Sequence, residues 1–267
     1  MSGDDPTTAD LGRRLTHEVD RGRKLLLPFL TAGYPDPATT ARALAGLAAA
    51  GADAIELGVP FSDPLADGPV IAAASERALA GGLTLERVLQ LAEACSPEAP
   101  PIVLFTYLNP LHARGLPRAA AAVRAAGVAA VLVADLPFDE SREVRAALEA
   151  EGLPLVPLAA PTTPEARLRA LAGEARGFVY LIARTGVTGR GSLADRRLAD
   201  QVRVLREGTE LPIVIGFGIG DVEAARRAAA VADGIVVGSA FVERLGEDGV
   251  EPALEWVGSL RRALDQG

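Results

Sequence analysis

The sequence predicts an α/β protein of the (β/α)8 TIM-barrel class, in which eight parallel strands alternate with helices. Eight short apolar segments alternate along the chain with longer segments rich in alanine and charged residues. Each apolar segment is a continuous hydrophobic run, which is typical of a parallel strand covered on both faces. Such alternation indicates strands joined by helical crossovers. The 267 residues suit one barrel, so we expect a single domain over residues 1–267 with an N-terminal helical lead-in.

The first half of the chain is predicted to hold four strands, each ended by glycine, proline or a polar turn. The helices between them are rich in alanine, and most stop at a glycine, which adopts the left-handed conformation that ends a helix. A polar lead-in over residues 10–22 is also expected to be helical. The predicted strands are 24–31, 54–58, 102–107 and 130–134, and the predicted helices are 37–50, 70–80, 85–94 and 117–126.

The second half of the chain repeats the same pattern. An open, doubly wound sheet is the alternative arrangement of the same eight units. The predicted strands are 155–159, 178–183, 212–216 and 234–237. The predicted helices are 139–151, 164–175, 193–206, 221–229 and 251–264, with a short one opened by residues 238–240.

Charge and composition argue against several classes of site. The net charge is −8 with acids spread along the chain, so we expect no binding to nucleic acid or to an anionic membrane. No apolar run is long enough to span a bilayer. Cys95 is the only cysteine and His17 and His112 are the only histidines, so we expect neither a disulfide nor a metal site. The first ten residues are unlike a secretory signal, so we expect a cytoplasmic protein.

Lys24 is the only lysine in the chain. Schiff-base catalysis requires a lysine amine. Lys24 is the first residue of the first predicted strand, at the end of a barrel opposite to its catalytic face. We therefore expect chemistry that does not use a Schiff base.

Two carboxylates flank the end of the second predicted strand. Glu56 lies within the apolar strand, and Asp67 lies in the proline-rich loop that follows. Alternation puts Ile55 and Leu57 on one face of the strand and Glu56 on the other, which in a barrel is the interior. A buried carboxylate is costly unless it is paired or functional, so Glu56 is a candidate catalytic group. The alternatives are a Glu56 satisfied by backbone or water, and an Asp67 that only forms a turn with the following glycine.

Glycines follow the seventh and eighth predicted strands, where barrels of this class often bind phosphate. Gly218 follows the seventh strand, and Gly238 and Ser239 follow the eighth, where a short helix is expected to begin. Glycine lets backbone N–H groups approach an anion, and the N-terminus of a helix attracts it. The glycine-rich segment 186–189 could add further donors. The sequence therefore predicts a phosphate site at this end of the barrel.

Five motifs of the sequence resemble the tryptophan synthase alpha subunit family. The similarity runs from about residue 25 to residue 245, and the motif that contains both carboxylates is the most specific to that family. The motifs are PFLTAGYP (28–35), ELGVPFSDPLADGP (56–69), YLNP (107–110), RTGVTG (184–189) and GFGI (216–219).

The resemblance implies a carbon–carbon lyase that cleaves indole-3-glycerol phosphate to indole and glyceraldehyde 3-phosphate. It also implies that the indole passes to a beta subunit, which carries pyridoxal phosphate, within an α2β2 assembly, and that this chain itself holds no cofactor. The resemblance also implies residue roles. These are Glu56, Asp67 and Tyr180 for catalysis, Phe29, Phe105 and Ala134 for the indole ring, Gly189, Gly218, Gly238 and Ser239 for the phosphate, and Asp63 and Pro64 for the partner.

The cleavage implied here is a retro-aldol reaction in which C3 of the indole is the leaving carbon. C3 must gain a proton, the positive charge at N1 must be stabilised, and a base must take the proton of the glyceryl hydroxyl. We assign both proton transfers to Glu56 and the stabilisation of N1 to Asp67. This chemistry needs neither a metal nor a Schiff base.

Three alternative functions remain open at this point: another phosphate-binding barrel lyase or isomerase, a stand-alone indole-releasing enzyme, and a barrel that only binds and regulates a partner. Two loops carry further expectations. The loop 60–69 is expected to dock the partner, with Phe61, Asp63 and Leu65 exposed. The loop 184–192 is expected to be mobile and to close over the substrate.

Overall fold

The computed structural model describes residues 11–95, 98–183, 193–216 and 218–266. Within these ranges, eight parallel strands form one sheet in the order β4-β3-β2-β1-β8-β7-β6-β5. The predicted phosphate residue Gly189 and the loop 184–192 lie outside the described residues. The strands are β1 (Leu25–Thr31), β2 (Ile55–Gly58), β3 (Ile102–Thr106), β4 (Ala130–Val133), β5 (Leu158–Ala159), β6 (Val179–Ile182), β7 (Ile213–Gly216) and β8 (Gly234–Val237).

The two ends of this sheet, β4 and β5, meet and close it into a barrel. Val131 of β4 forms a parallel bridge with Leu155, three residues before β5. Val131 N donates to Pro154 O at 3.0 Å, and Val156 N donates to Val131 O at 2.8 Å. The predicted barrel is thereby confirmed, and the open doubly wound sheet is excluded.

Strand β5 is shorter than the sequence predicts. We expected residues 155–159, and the structure has a strand only over Leu158–Ala159. Pro154 and Pro157 have no N–H to donate to a neighbouring strand, so the ladder is interrupted at both positions. Pro157 O still accepts from Tyr180 N at 3.0 Å, which holds β5 against β6.

Helices surround the sheet and connect its strands. Most begin and end within three residues of the predicted bounds, and Asp36 and Asp221 cap two of them by accepting backbone N–H groups at 2.9 and 2.7 Å. The helices of the described residues are α1 (Leu11–Asp20), α2 (Pro37–Leu47), α3 (Pro69–Ala80), α4 (Leu85–Glu93), α5 (Leu108–Arg114), α6 (Leu116–Ala125), α7 (Arg142–Glu149), α8 (Glu165–Glu174), α9 (Leu193–Arg206), α10 (Val222–Ala229), α11 (Ser239–Glu247) and α12 (Val250–Asp265).

One short helix, α5, lies where the sequence analysis expected a loop. Tyr107 precedes it in an extended conformation as the N-cap residue. Pro110 is its third residue, where the backbone of a helix needs no N–H donor, so this proline does not prevent a helix. The predicted helix 139–151 also differs, because it begins with a 3-10 turn over Phe138–Glu140 and only then continues as α7.

The hydrophobic core has two layers, one on each side of the barrel wall. Ile55 and Leu57 of β2 pack outward in the cluster formed with the helices. Phe29 of β1 and Val103 of β3 pack in the inner cluster. Glu56 pairs in register with both Phe29 and Val103, so its carboxyl group enters the barrel, as alternation predicts.

Lys24 lies at the N-terminal end of the barrel, opposite to the catalytic face of this fold. Its Nζ donates to Ala232 O, just before β8, at 2.8 Å. None of the helices described is both long and apolar enough to cross a bilayer. The same ranges contain no group of three His, Cys, Asp or Glu residues placed to hold a metal ion.

Candidate active site

A cavity of about 610 Å³ opens among the C-terminal ends of the strands. It brings together residues that are far apart in the chain and that the sequence analysis assigned to one site. The lining includes Glu56, Asp67, Tyr180, Phe29, Phe105, Gly218, Gly238 and Ser239. Ala134 follows β4 and packs, half-buried, against the inner cluster, but it is not among the residues that line this cavity.

Glu56 is fully buried in the wall of this cavity. Neither of its carboxyl oxygens has a hydrogen-bond partner within the described part of the chain. Burial without compensating partners penalises the charged form and raises the pKa of Glu56 to about 8. The carboxyl group is therefore protonated at neutral pH and can donate a proton.

Asp67 lines the same cavity from the loop between β2 and α3. Its backbone N–H donates to Pro64 O at 3.0 Å, which closes a turn in this loop. Burial raises the pKa of Asp67 to about 6, and the hydroxyl of Tyr107, which donates to the carboxylate, opposes that rise. Asp67 is therefore largely ionised at neutral pH. The cavity thus presents one protonated and one ionised carboxyl group, the pattern of an acid and its charge-stabilising partner.

Tyr180 enters the cavity from β6, and it is buried. Burial, followed by the charge of Glu56, raises its pKa well above the ordinary value, so its hydroxyl stays protonated. Gly216 on β7 faces this side chain, and a Cβ at that position would overlap the tyrosine hydroxyl and ring. Gly216 therefore creates the space that Tyr180 occupies.

Two phenylalanines form an apolar wall beside the carboxyl groups. The rings of Phe29 and Phe105 meet edge to face, with centroids 5.3 Å apart and an interplanar angle of 80°. Gly58 lies behind Phe29, and a Cβ there would come within 2.5 Å of Phe29 Cζ. Because Gly58 has no side chain, the ring of Phe29 can lie directly against its backbone. A flat aromatic ring would pack against it by ordinary aromatic contacts.

Another part of the cavity is lined by backbone and small residues. Gly218 has a φ of 75°, a left-handed conformation that favours glycine. Helix α11 begins at Ser239, directly after Gly238, so its first N–H groups and its dipole favour an anion there. Among the described residues that line the cavity, no lysine or arginine is present, and Glu243 adds a carboxylate at this end.

The loop that carries Asp67 is exposed at its tip. Leu65 is 94% exposed, Asp63 is exposed and accepts from Ser62 Oγ at 2.8 Å, and Pro64 is half-buried. The expectation that Phe61 is also exposed is wrong. Its ring stacks on that of Tyr107 at 5.0 Å with an interplanar angle of 27°, because the stack shields apolar surface from water.

Three residues of this site were not predicted from the sequence. Tyr107 lies in the YLNP motif, and its position directly after β3 was the available signal, since catalytic side chains of barrels follow strands. Gly216 was named only as the first residue of the GFGI motif, and its missing side chain leaves room for Tyr180. Glu243 could not have been predicted from the sequence, because acidic residues are common on exposed helical faces.

Comparisons with known proteins agree with this geometry. The chain matches the family model described as Tryptophan synthase alpha chain over residues 15–261. It is similar to the tryptophan synthase alpha chain of Laribacter hongkongensis, with 49% identity over 260 residues that cover 96% of this chain and 98% of that one. The alpha chain of Synechococcus elongatus is 48% identical over 248 residues, which cover 92% and 93% of the two chains.

Solved structures share the barrel. A structure of Mycobacterium tuberculosis tryptophan synthase superposes with a TM-score of 0.88 at 35% identity and covers 96% of this chain and 98% of that chain. Tryptophan synthase subunit alpha from Legionella pneumophila superposes with a TM-score of 0.86 at 31% identity, with coverage of 96% and 98%. The similarity therefore extends over almost the whole length of each chain.

Proposed function

Since this chain belongs to the tryptophan synthase alpha chain family, we propose that its cavity cleaves indole-3-glycerol phosphate to indole and glyceraldehyde 3-phosphate. The observation that carries this proposal is the pair of carboxyl groups, Glu56 protonated and Asp67 ionised, in one cavity. A retro-aldol cleavage of an indole needs this combination of an acid at C3 and a negative charge near N1.

The apolar and the backbone-lined parts of the cavity suit the two ends of this substrate. We propose that the indole ring lies against Phe29 and Phe105, with Ala134 at the end of β4 completing that side. The phosphate then lies at Gly218, Gly238 and Ser239, where the N-terminus of α11 stabilises its charge. Gly189, outside the described residues, is proposed to add a backbone donor.

The reaction begins with proton transfer from Glu56 to C3 of the indole. The electrons of the C2–C3 double bond form the new C–H bond, and the positive charge falls on N1. The carboxylate of Asp67 stabilises this charge, which lowers the barrier by electrostatic preorganisation. Tyr180, kept neutral beside Glu56, is proposed to hold the substrate at this carboxyl group with its hydroxyl.

The second step breaks the carbon–carbon bond. Glu56, now a carboxylate, takes the proton of the glyceryl hydroxyl on the carbon attached to C3. The O–H electrons form the aldehyde C=O bond, and the electrons of the broken C–C bond return to the ring and neutralise N1. Indole and glyceraldehyde 3-phosphate result, and Glu56 regains its proton, so the steps use only groups of this chain.

The exposed loop around Asp63 and Pro64 is proposed to dock a beta subunit in an α2β2 assembly. Indole then passes to that subunit, where pyridoxal phosphate is the expected cofactor. We propose further that residues 1–267 act as one barrel domain and that the protein works in the cytoplasm. Exposed apolar surface at Leu65, beside the charge of Asp63, supports a docking role for this loop.

The direct test is indole release from indole-3-glycerol phosphate by the purified chain, with and without a matching beta subunit. We expect slow release by the chain alone and substantial activation by the partner. Lys24→Arg is the control, because Lys24 lies at the opposite end of the barrel, and this variant should match the parent. No indole release in either condition would refute the proposal, and release that ignores the partner would indicate a stand-alone enzyme.

A further inference from the structure

Tyr107 links the loop that carries Asp67 to the rigid end of β3. We define the docking loop as residues 59–68. The ring of Tyr107 stacks on Phe61 near the start of this loop. At the other end of the loop, Ala66 N donates to the Tyr107 hydroxyl oxygen at 3.0 Å, and the hydroxyl donates to the Asp67 carboxylate. The side chain of Tyr107 therefore contacts three residues of the loop: Phe61, Ala66 and Asp67.

The backbone around Tyr107 is itself held firmly. Thr106 Oγ1 donates to Tyr107 O at 3.1 Å, and Leu108 N donates to Asp135 Oδ1 at 2.8 Å. Tyr107 also occupies the N-cap position of α5, and its side chain is buried. The tyrosine is thus a fixed point against which the loop is positioned, since a side chain locked by packing holds its partners precisely.

We propose that Tyr107 is a positioning residue that aims the Asp67 carboxylate and couples it to the outer surface of the docking loop. This inference rests on the function proposed above and deepens it. A partner that contacts Asp63 or Leu65 would shift the loop against Tyr107, and the shift would reach Asp67 through Ala66, its neighbour in the chain.

The hydrogen-bonding capacity of the hydroxyl supports this role. A tyrosine hydroxyl donates one hydrogen bond and accepts others. The hydroxyl oxygen of Tyr107 accepts a hydrogen bond from Ala66 N, so its own proton is free to be donated to Asp67. Burial and the charge of Asp67 both raise the pKa of Tyr107, so the proton stays on the tyrosine. The hydroxyl in turn lowers the pKa of Asp67 against the larger effect of burial, which helps to keep that carboxylate ionised near pH 7.

The first experiment is the pH dependence of kcat/KM for indole release by Tyr107→Phe in the presence of the beta subunit. This variant keeps the stacked ring and loses the donor to Asp67. We expect the acidic limb of the profile to move to higher pH and kcat/KM at pH 7 to fall about tenfold, the order expected from losing a hydrogen bond to a charged group. Tyr34→Phe is the matched control, because Tyr34 lies after β1 beside Arg77 and not in the cavity, and its profile should match the parent's.

Phe61→Leu separates the ring contact from the hydrogen bond. It removes the stack and leaves the Tyr107 hydroxyl in place. We expect the acidic limb to stay at the parent's pH, whereas activation by the beta subunit falls severalfold. An unchanged activation ratio would contradict the coupling part of the proposal.

A spectroscopic measurement tests the contact even if Tyr107→Phe folds poorly. In the parent chain labelled with fluorotyrosine, the 19F resonance of residue 107 should titrate together with Asp67, and this titration should vanish in Asp67→Asn. The inference would be overturned by a parent resonance that does not titrate near the pKa of Asp67, about 6. It would also be overturned by a folded Tyr107→Phe whose kcat/KM depends on pH as the parent's does. If the parent itself releases no indole, the proposed function fails instead, so the two failures are distinguishable.

Discussion

Glu56 and Asp67 are the same kind of acid in one cavity, and their surroundings make them chemically different. Glu56 lies in the barrel wall with no hydrogen-bond partner for either oxygen among the described residues, so its pKa rises to about 8. Asp67 lies on a loop and accepts a hydrogen bond from the Tyr107 hydroxyl, so its pKa rises only to about 6. The order of the two values follows from burial and hydrogen bonding.

These two pKa values predict a bell-shaped dependence of kcat/KM on pH. Asp67 must be ionised, so activity should fall as the pH drops through about 6. Glu56 must hold its proton at the start of the cycle, so activity should fall as the pH rises through about 8. The free-enzyme values govern kcat/KM. Initial rates of indole release from pH 5 to 9 check this, and a profile that still rises between pH 8 and 9 would contradict the role of Glu56.

Burial of Glu56 should also lower stability as the pH rises. Between pH 4.5 and about 8, an unfolded chain has ionised Glu56 while the folded chain keeps it protonated. Folding therefore takes up a proton, and stability falls with increasing pH. Glu56→Gln removes this dependence, so its advantage in Tm over the parent should grow across that range, by about 2–4 °C for each 1 kcal/mol. Thermal melts of both proteins at pH 5 and 8 test this, and an equal difference at both values would contradict it.

At the scale of elements, the pairing of β6 with β7 forms the wall around Tyr180. Gly216 is the last residue of β7 and pairs with Ile182 of β6. We predict that Gly216→Ala displaces Tyr180, because the new Cβ would overlap its hydroxyl. Overpacking should cost about 1–3 kcal/mol of stability and reduce kcat/KM at least about tenfold. Gly173→Ala in α8 is the control, since a Cβ there meets nothing within 4 Å. A Gly216→Ala protein with the parent's kinetics and Tm would refute this.

Helix α11 presents an N-terminus that attracts anions and a carboxylate that repels them to the proposed phosphate site. Glu243 lines the cavity one turn after Ser239. We predict that Glu243→Gln tightens competitive inhibition by inorganic phosphate about two- to threefold at low salt, because a like charge is removed, and that the gain shrinks at high ionic strength. Glu247→Gln, one turn further along α11, should behave as the parent does. Equal inhibition constants for Glu243→Gln and parent would remove Glu243 from the phosphate site.

The sequence predicted the elements well wherever local chemistry decides them. Alternation put Glu56 inside the barrel, and glycine stops marked the helices. The failures involve contacts between segments that are distant in the chain. Strand β5 is cut short by two prolines that matter only because of where β4 and β6 lie. The ring of Phe61 stacks on Tyr107, and Gly216 leaves room for Tyr180. Neither contact can be predicted from the residues that neighbour it in the sequence.

At the scale of the whole molecule, the docking loop joins the outer surface to the catalytic cavity. Asp63 is exposed at its tip, and Asp67 lines the cavity four residues later. We predict that Asp63→Ala lowers activation by the beta subunit more than it lowers the basal rate, because we propose that this loop couples docking to catalysis. Asp200→Ala, an exposed aspartate on α9, is the control. Indole release with and without saturating partner gives both ratios, and equal ratios for Asp63→Ala and parent would show that the loop does not transmit the signal.

We propose that two carboxyl groups of this barrel, Glu56 and Asp67, cleave indole-3-glycerol phosphate. The most direct test is indole release by Glu56→Gln and by Asp67→Asn, each beside the parent and with saturating beta subunit. Both amides nearly preserve shape and remove one acid. We expect a loss of roughly 10²-fold or more in kcat for each variant, the scale of positioned acid–base groups, in proteins that stay folded. Near-parent turnover by folded Glu56→Gln would contradict it.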